Sequence, residues 1–268
     1  MIGPSPLLDF FKRGEVARDV RLMAARGVFA PRAHEQLSVL VLLLDDAETE
    51  VRETAERTLA RIPRPALSRF LARADAPAPL REFFAERGIQ PADAAEAASG
   101  ADPLQPADEA AADAPLVDDG EEVEQAENET SESITQRLAK MGFSERLKAA
   151  VKGSREMRAI LVRDPNKMIA AAVLSSPKLT APEVESIARM ANVSEDVLRT
   201  IASNRSWTKN YSVVVGLTKN PKTPLAMSLN LMHRLTDRDL SQLAVDRNVP
   251  EPLRVAARKR VLDSTSKR

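Results

Sequence analysis

Helix-starting signals recur along the second half of the chain and constrain its fold more than any other feature. Each signal is a side chain that can cap a helix, followed by proline or an acidic residue in the first turn. The signals are Asp164-Pro165, Thr180-x-Pro182-Glu183, Ser194-Glu195-Asp196, Thr223-Pro224, Thr236-x-x-Asp239 and Asn248-x-Pro250. Capping side chains accept hydrogen bonds from first-turn N–H groups, and proline fits there because it lacks an N–H. The signals therefore predict a succession of helices of roughly 9–15 residues.

Apolar residues between these signals recur at the spacing of one helical face. The predicted buried faces contain Met168, Ile169, Ala172 and Val173, then Val184, Ile187, Ala188 and Ala191, then Val213, Val214 and Leu217. Aromatic residues make up only 3% of the chain, whereas β-sheets favour aromatic and β-branched side chains. We therefore predict an all-α protein.

Two repeat patterns run along the chain. In the second half, the corners RDPN, SNRS and VDRN begin at residues 163, 203 and 245, a spacing of 40 and then 42 that accommodates two helices and two corners. In the first half, Val20-Arg21, Val51-Arg52 and Leu80-Arg81 each place an apolar residue before an arginine, at intervals of 31 and 29. Such periods are typical of stacked helical hairpins. We therefore predict an α-solenoid of stacked helical hairpins in two blocks.

Two stretches resemble known helical repeats. The phrase DDAETEVRETAERTLARIP at residues 45–63 resembles the second helix of a HEAT or armadillo-like repeat, through the pattern DD-x₄-VR-x₂-A-x₃-L-x-RI. This resemblance covers residues 15–90 and implies that the arginine tethers neighbouring loops. Residues 134–263 resemble a helical-repeat region of uncharacterised bacterial proteins, through RDPNKMIAAAVLSSP, VSEDVLRTIASNRSWTKNY and KNPKTPLAMSLNLM. That resemblance implies an α-solenoid in a bacterial protein, and no activity comes with it.

Charge is distributed unevenly, although the formal net charge is +0. Residues 1–90 contain 14 basic and 13 acidic residues, residues 91–133 contain 0 and 14, and residues 134–268 contain 25 and 12. The middle segment is rich in Ala, Pro, Asp and Glu and lacks Phe, Tyr, Trp and Ile, which is typical of disordered chain. We predict an N-terminal HEAT-like helical repeat block (1–90), an acidic disordered linker (91–133) and a basic C-terminal helical repeat block (134–268). The linker would act as a solubilising spacer or fold back on the basic block.

Residue types that perform catalysis or bind metals are scarce. The chain has no cysteine and two histidines, His34 and His233, neither of which has a partner at metal-ligand spacing. Its nine glycines form no phosphate-binding pattern, and GxSxG is absent. The carboxylates of Glu183 and Glu185 lie in a first turn, where the helix macrodipole explains them. We therefore expect a non-enzymatic protein with no catalytic residues, no metal and no cofactor.

Membrane and export signals are also missing from the sequence. The longest apolar run is Val39–Leu44, far shorter than the roughly 20 residues that span a bilayer. The N-terminus has no basic region followed by an apolar one. Together with the absence of cysteine, this predicts a cytoplasmic protein that does not contact membranes.

Cations beside the corners of the basic block form the candidate partner-binding site. They are Arg163, Lys167, Lys178, Arg205, Lys209, Lys219, Lys222 and Arg247. Since a solenoid repeats its corners along one edge, corners about 40 residues apart would align these charges into a ridge. Trp207 and Tyr211, four residues apart, would share a helical face within this site.

Three interpretations of the ridge remain open. A protein-interaction scaffold or adaptor would bind an acidic or helical protein partner here, with Trp207 and Tyr211 as anchors or core residues. A nucleic-acid-binding protein would instead stack bases on the two rings. A charged rim without a specific ligand is the third interpretation. The scaffold is our predicted function, and no small-molecule substrate is implied.

Overall fold

The computed structural model describes residues 6–28, 32–92, 115–117 and 131–266. Within these ranges the regular structure consists of 17 helices and no strand, which confirms the all-α prediction. No helix in the described ranges is both long enough and apolar enough to cross a bilayer.

The chain divides into two compact units. Unit 1 contains Met1–Met157 and Ser175–Lys178, and unit 2 contains Arg158–Leu174 and Leu179–Arg268. The three segments that charge predicts, 1–90, 91–133 and 134–268, stay a prediction. So does the disorder of the acidic linker, because its residues 93–114 and 118–130 lie outside the described residues.

The first helices of the chain follow the predicted spacing. They are α1 (Pro6–Lys12), α2 (Arg18–Ala25), α3 (Ala33–Leu43), α4 (Thr49–Arg61), α5 (Arg64–Ala72) and α6 (Ala78–Glu86). The three helices that carry an apolar-arginine pair are α2, α4 and α6, and they start at residues 18, 49 and 78. The intervals of 31 and 29 residues are thus confirmed as helix spacings. Three further helices follow the linker: α7 (Ser131–Lys140), α8 (Phe143–Lys152) and α9 (Arg155–Leu161).

A shared core joins α2, α3 and α4, which pack on one another in unit 1. Val20 of α2, Leu37 and Leu40 of α3, and Val51 and Ala55 of α4 have no measurable exposure. These residues recur at the spacing of one helical face, so the apolar pattern of each helix determines which side faces its neighbours.

The arginines of the repeated pairs bind main-chain and side-chain oxygens near helix ends. Arg21 lies 2.9 Å from the carboxylates of both Asp46 and Glu48, which precede α4. Arg52 donates to the carbonyl of Asp46 at 2.6 Å. Arg81 donates to a carbonyl near the end of α5 at 3.0 Å. Each side chain therefore fixes a loop between two helices.

Unit 2 is built mainly from the remaining helices. They are α10 (Lys167–Ser175), α11 (Ala181–Arg189), α12 (Glu195–Ser203), α13 (Arg205–Thr208), α14 (Tyr211–Lys219), α15 (Leu225–Met232), α16 (Asp237–Val245) and α17 (Glu251–Ser266). Helix α14 packs on α11 and on α15, and α17 packs on α15 and α16. The predicted buried residues are buried except Ala191, which is exposed because α11 ends at Arg189.

Capping side chains start several of these helices as predicted. Ser194 accepts from the N–H of Val197, and Thr236 accepts from the N–H of Asp239. The N–H of Thr180 donates to the Glu183 carboxylate at 2.9 Å. At the predicted signal Thr223-Pro224 the cap residue is the proline, and no side chain caps that helix.

The helix starts correct the predicted repeat of the second half. Three helices, α10, α11 and α12, lie between the RDPN and SNRS corners, where two were expected. Corners that do correspond contain Asn166, Asn192, Asn220 and Asn248, spaced 26, 28 and 28 residues apart, and α10, α12, α15 and α17 start just after them. Caps throughout this region use Asn, Asp, Ser and Thr, so the letters of unlike corners matched at a spacing of 40.

Candidate protein-interaction surface

The corners of unit 2 lie at two edges, joined by α14. Residues Arg189, Lys219 and Asn248, from three different corners, line one groove. At the other end of α14, the hydroxyl of Tyr211 lies 3.2 Å from the hydroxyl of Thr236 at the start of α16. The edge that contains the groove is called the asparagine edge, and its corners are those at Asn166, Asn192, Asn220 and Asn248. The edge at the other end of α14 is called the opposite edge, and it contains Asn210 and Thr236.

Asn220 holds two corners of the asparagine edge together. Its side chain is buried, with 4% exposure. The amide nitrogen donates to the carbonyls of Ala188 and Met190 at 2.9 Å each, at the end of α11. The amide oxygen accepts from the N–H of Lys222 at 3.0 Å. One side chain thus satisfies carbonyls at the end of α11 and orders its own turn.

A groove of about 470 Å³ runs across these corners. Its lining combines apolar and polar residues: Arg189, Ala191, Val215, Gly216, Lys219, Asn220, Pro221 and Asn248. Gly216 allows α11 and α14 to approach closely, because an added Cβ would lie 3.1 Å from Cγ of Arg189. Because Gly216 and Arg189 both line the groove, a side chain at position 216 would crowd it.

Five of the eight predicted cations lie at the asparagine edge, and two of them are neutralised there. Lys167 forms an ion pair with Asp196 at 2.8 Å. Lys219 lies 3.5 Å from Asp239 and donates to Gln242 at 2.9 Å. The other three cations have no acidic partner among the described side chains: Arg163, Lys222 and Arg247. All three are exposed.

The opposite edge carries Arg205 and Lys209, which are exposed. Trp207 is half-buried in the short helix α13, whereas Tyr211 is the first residue of α14. The prediction that these rings share one helical face is wrong, because Asn210 caps a new helix between them. A spacing of four residues places side chains on one face only within a continuous helix.

Lys178 belongs to neither edge of unit 2. It lies in unit 1, where its Nζ is 3.4 Å from the carbonyl of Lys152. The single ridge predicted from the 40-residue spacing is thus replaced by two edges, because the corner at 203 is not equivalent to those at 163 and 245.

Tyr211 connects two helices through its hydroxyl group. The hydroxyl donates to the carboxylate of Asp239 and accepts from the N–H of Thr236 at 3.1 Å. The hydrogen bond from Tyr211 lowers the pKa of Asp239 and, together with Thr236 and Lys219, outweighs the opposing effect of burial. Tyr211 is therefore a structural residue of the cap of α16, although it remains 40% exposed.

A buried ion pair, which the sequence analysis missed, stabilises unit 2. Arg158 of α9 donates through Nε and Nη2 to Oε1 of Glu183 at 3.0 and 2.7 Å. The second oxygen of Glu183 accepts from the N–H and the hydroxyl of Thr180 at 2.9 and 2.8 Å. Burial opposes ionisation of Glu183, but the hydrogen bonds from Thr180 and Arg158 outweigh it and lower its pKa. The macrodipole alone does not account for this carboxylate.

The groove residues Arg189 and Asn220 were also missed, and only the recurrence of asparagine every 26–28 residues could have indicated the second. No group of three or more His, Asp or Glu side chains arranged to hold a metal occurs in the described part of the chain. Comparison of the chain with protein-family models, curated proteins and solved structures finds no match.

Proposed function

We propose that the chain is a non-enzymatic interaction scaffold whose second unit, an α-solenoid, binds an acidic protein segment along the asparagine edge. The observation that carries this proposal is the groove at Asn220 and Asn248, whose corners also present Lys222 and Arg247. Both cations are exposed and have no acidic partner among the described side chains. Apolar walls and adjacent cations suit a polypeptide that alternates apolar and acidic side chains.

The recurring corners support the solenoid arrangement. Asparagine returns after 26, 28 and 28 residues, each time one to five residues before a helix start. The contacts of Asn220 with the end of α11 join its corner to the preceding one. Repeats that contact mainly their neighbours build extended surfaces of this kind.

The geometry favours a protein partner over nucleic acid. Base stacking on an open platform requires exposed aromatic faces. Trp207 is half-buried, and the Tyr211 hydroxyl belongs to the cap of α16. The two predicted rings also lie on different helices. The only remaining support for nucleic-acid binding is therefore the exposed cations.

Charge reversal at the two edges tests the proposal. The full chain is titrated with a labelled deca-glutamate peptide, and binding is followed by fluorescence anisotropy. The variant Lys222→Glu/Arg247→Glu changes the asparagine edge. The variant Arg205→Glu/Lys209→Glu changes net charge equally at the opposite edge and serves as the matched control.

We expect the first variant to weaken binding by roughly 5- to 30-fold, since exposed ion pairs contribute about 0.2–1 kcal/mol each and reversal replaces attraction by repulsion. The control should change the affinity by less than about twofold. Equal weakening by both variants would reduce the effect to net charge and refute the proposed surface. Tighter binding of a single-stranded oligonucleotide, with a log-linear salt dependence, would favour the nucleic-acid alternative.

A further inference from the structure

Gln36 of α3 binds a segment of the acidic linker 80 residues away in the sequence. Its side-chain oxygen accepts from the N–H groups of Leu116 and Val117 at 2.7 and 3.0 Å. Its side-chain nitrogen donates to the carbonyl of Val117 at 2.5 Å and to that of Gly27 at 3.4 Å. All four hydrogen-bonding positions of this amide are therefore used, three of them by the linker segment.

Because it is buried, the side-chain amide of Gln36 needs a peptide segment that pairs with its hydrogen-bonding groups. Gln36 is only 1% exposed and Val117 is 8% exposed. A buried amide that loses its partners incurs the full desolvation penalty of each unpaired group. The buried amide of Gln36 therefore favours a chain that offers two consecutive N–H groups and one carbonyl.

Gly27 lies beside the amide of Gln36. It follows α2 with a φ of +86°, a conformation that side chains other than glycine rarely adopt. A Cβ at this position would lie 3.3 Å from Nε2 of Gln36 and 3.6 Å from Cγ1 of Val117. The same glycine thus ends the helix and leaves room for the segment.

The segment itself stands out from its surroundings. Leu116 and Val117 are the only adjacent pair of branched aliphatic residues between 91 and 133. Pro115 precedes them, and a proline at position 116 or 117 would remove an N–H group that Gln36 binds. The segment bends at Leu116, so that both N–H groups reach one oxygen. The recognised chemistry is therefore a bent peptide that contains a buried aliphatic residue and has two free main-chain N–H groups.

We propose that Gln36, Gly27 and their neighbours form a binding site for short aliphatic peptides, which residues 115–117 fill in cis and from which a peptide of the same chemistry displaces them. The site lies in unit 1 and its described hydrogen bonds involve no basic side chain, so it is independent of the acidic-segment site proposed for unit 2.

Peptide binding to the full chain tests the site. The probe is a labelled peptide of residues 111–119. The variant Val117→Asp removes the buried side chain of the internal segment and should bind the probe about tenfold or more tightly than the unmodified chain, in which the internal segment competes. Adding Gln36→Leu to that variant should abolish binding, whereas adding Gln136→Leu, an exposed glutamine of α7, should leave it unchanged.

A chemically modified probe isolates the main-chain contacts. A peptide N-methylated at the residues corresponding to Leu116 and Val117 lacks both donors and should not bind. Equal binding of methylated and unmethylated probes, or equal affinities of the Val117→Asp and unmodified chains, would overturn the proposal. Concentration-dependent dimerisation that Val117→Asp abolishes would also overturn it, because the segment would then be supplied by a second copy.

Hydrogen exchange provides a measurement that needs no substitution. In the unmodified chain, the amides of Leu116 and Val117 should exchange at least about tenfold more slowly than the same amides in the free peptide. Exchange at the free-peptide rate would contradict docking of the segment.

Discussion

Replacing Glu183 by glutamine should remove a large part of the stability of unit 2. The side chains of Arg158 and Glu183 are only 5% and 8% exposed. One carboxylate oxygen accepts from Arg158 and the other from Thr180. Glutamine has one oxygen and one NH₂ group, so in either orientation it places a donor against donors.

The expected loss in the free energy of unfolding follows from these contacts. Removing one partner of a buried ion pair costs about 3–5 kcal/mol. Glutamine retains one acceptor, which places Glu183→Gln near the lower limit, at about 3 kcal/mol. The matched control is Glu185→Gln on the same helix. Glu185 pairs with Arg189, whose side chain is 57% exposed, so its loss should cost less than about 0.5 kcal/mol.

Urea unfolding followed by tryptophan fluorescence measures this difference. Trp207 is the single tryptophan of the chain and lies in unit 2, as does the ion pair. Adding Arg158→Met to Glu183→Gln removes the buried cation, so the double variant should lose about 1–3 kcal/mol less than the sum of the single losses. Equal losses for Glu183→Gln and Glu185→Gln, or strict additivity of the double variant, would refute the reasoning.

The contribution of Glu183 should also depend on pH in a defined direction. Its pKa is lower in the folded state than its ordinary value. The stabilisation is therefore fully present above the ordinary glutamate pKa of about 4.3 and is lost as the pH falls through the lower, folded-state pKa. The difference in unfolding free energy between the wild-type chain and Glu183→Gln should shrink over that interval.

Three further substitutions probe other contacts. Gly153→Ala should destabilise the chain by about 1–3 kcal/mol in urea unfolding, because a Cβ there would overlap a main-chain oxygen one turn earlier. The control Gly142→Ala should not destabilise the chain, because the nearest atom to its Cβ is 3.8 Å away. Tyr211→Phe should raise the pKa of Asp239 towards its ordinary value, as measured by carboxyl NMR titration, and an unchanged pKa would contradict the hydrogen bond. Asn220→Ala should cost about 1–3 kcal/mol, since its buried amide binds two carbonyls.

Local signals in the sequence predicted local structure well. The caps at Ser194 and Thr236 depend on residues within one or two turns, and the described helices confirm them. The 40-residue repeat was wrong because similar capping letters occur at both edges of unit 2. The corners of the asparagine edge recur every 26–28 residues, and the similar capping residues at the opposite edge obscured that spacing.

Contacts over long sequence distances left no readable pattern. Arg158 and Glu183 are 25 residues apart, and Gln36 binds residues 80 and 81 positions further along. The composition of residues 91–133 predicts disorder as an average over 43 residues. That average obscured the short aliphatic segment at residues 115–117. Gln36 binds it through main-chain groups, which needs only a few residues and leaves little trace in the composition.

The binding of Val117 by Gln36 also limits how far the acidic residues that follow it can extend. Residues 118–130 contain seven carboxylates and connect Val117 to the start of α7 at Ser131. Since each residue spans at most about 3.6 Å, no main-chain atom of this run can be more than about 25 Å from the nearer anchor. Without the contact at Val117 the nearest described anchors would be Ala92 and Ser131, and the same bound would rise to about 70 Å. Three hydrogen bonds to one glutamine thus limit the distance at which half of the linker's negative charges can lie from the nearer anchor.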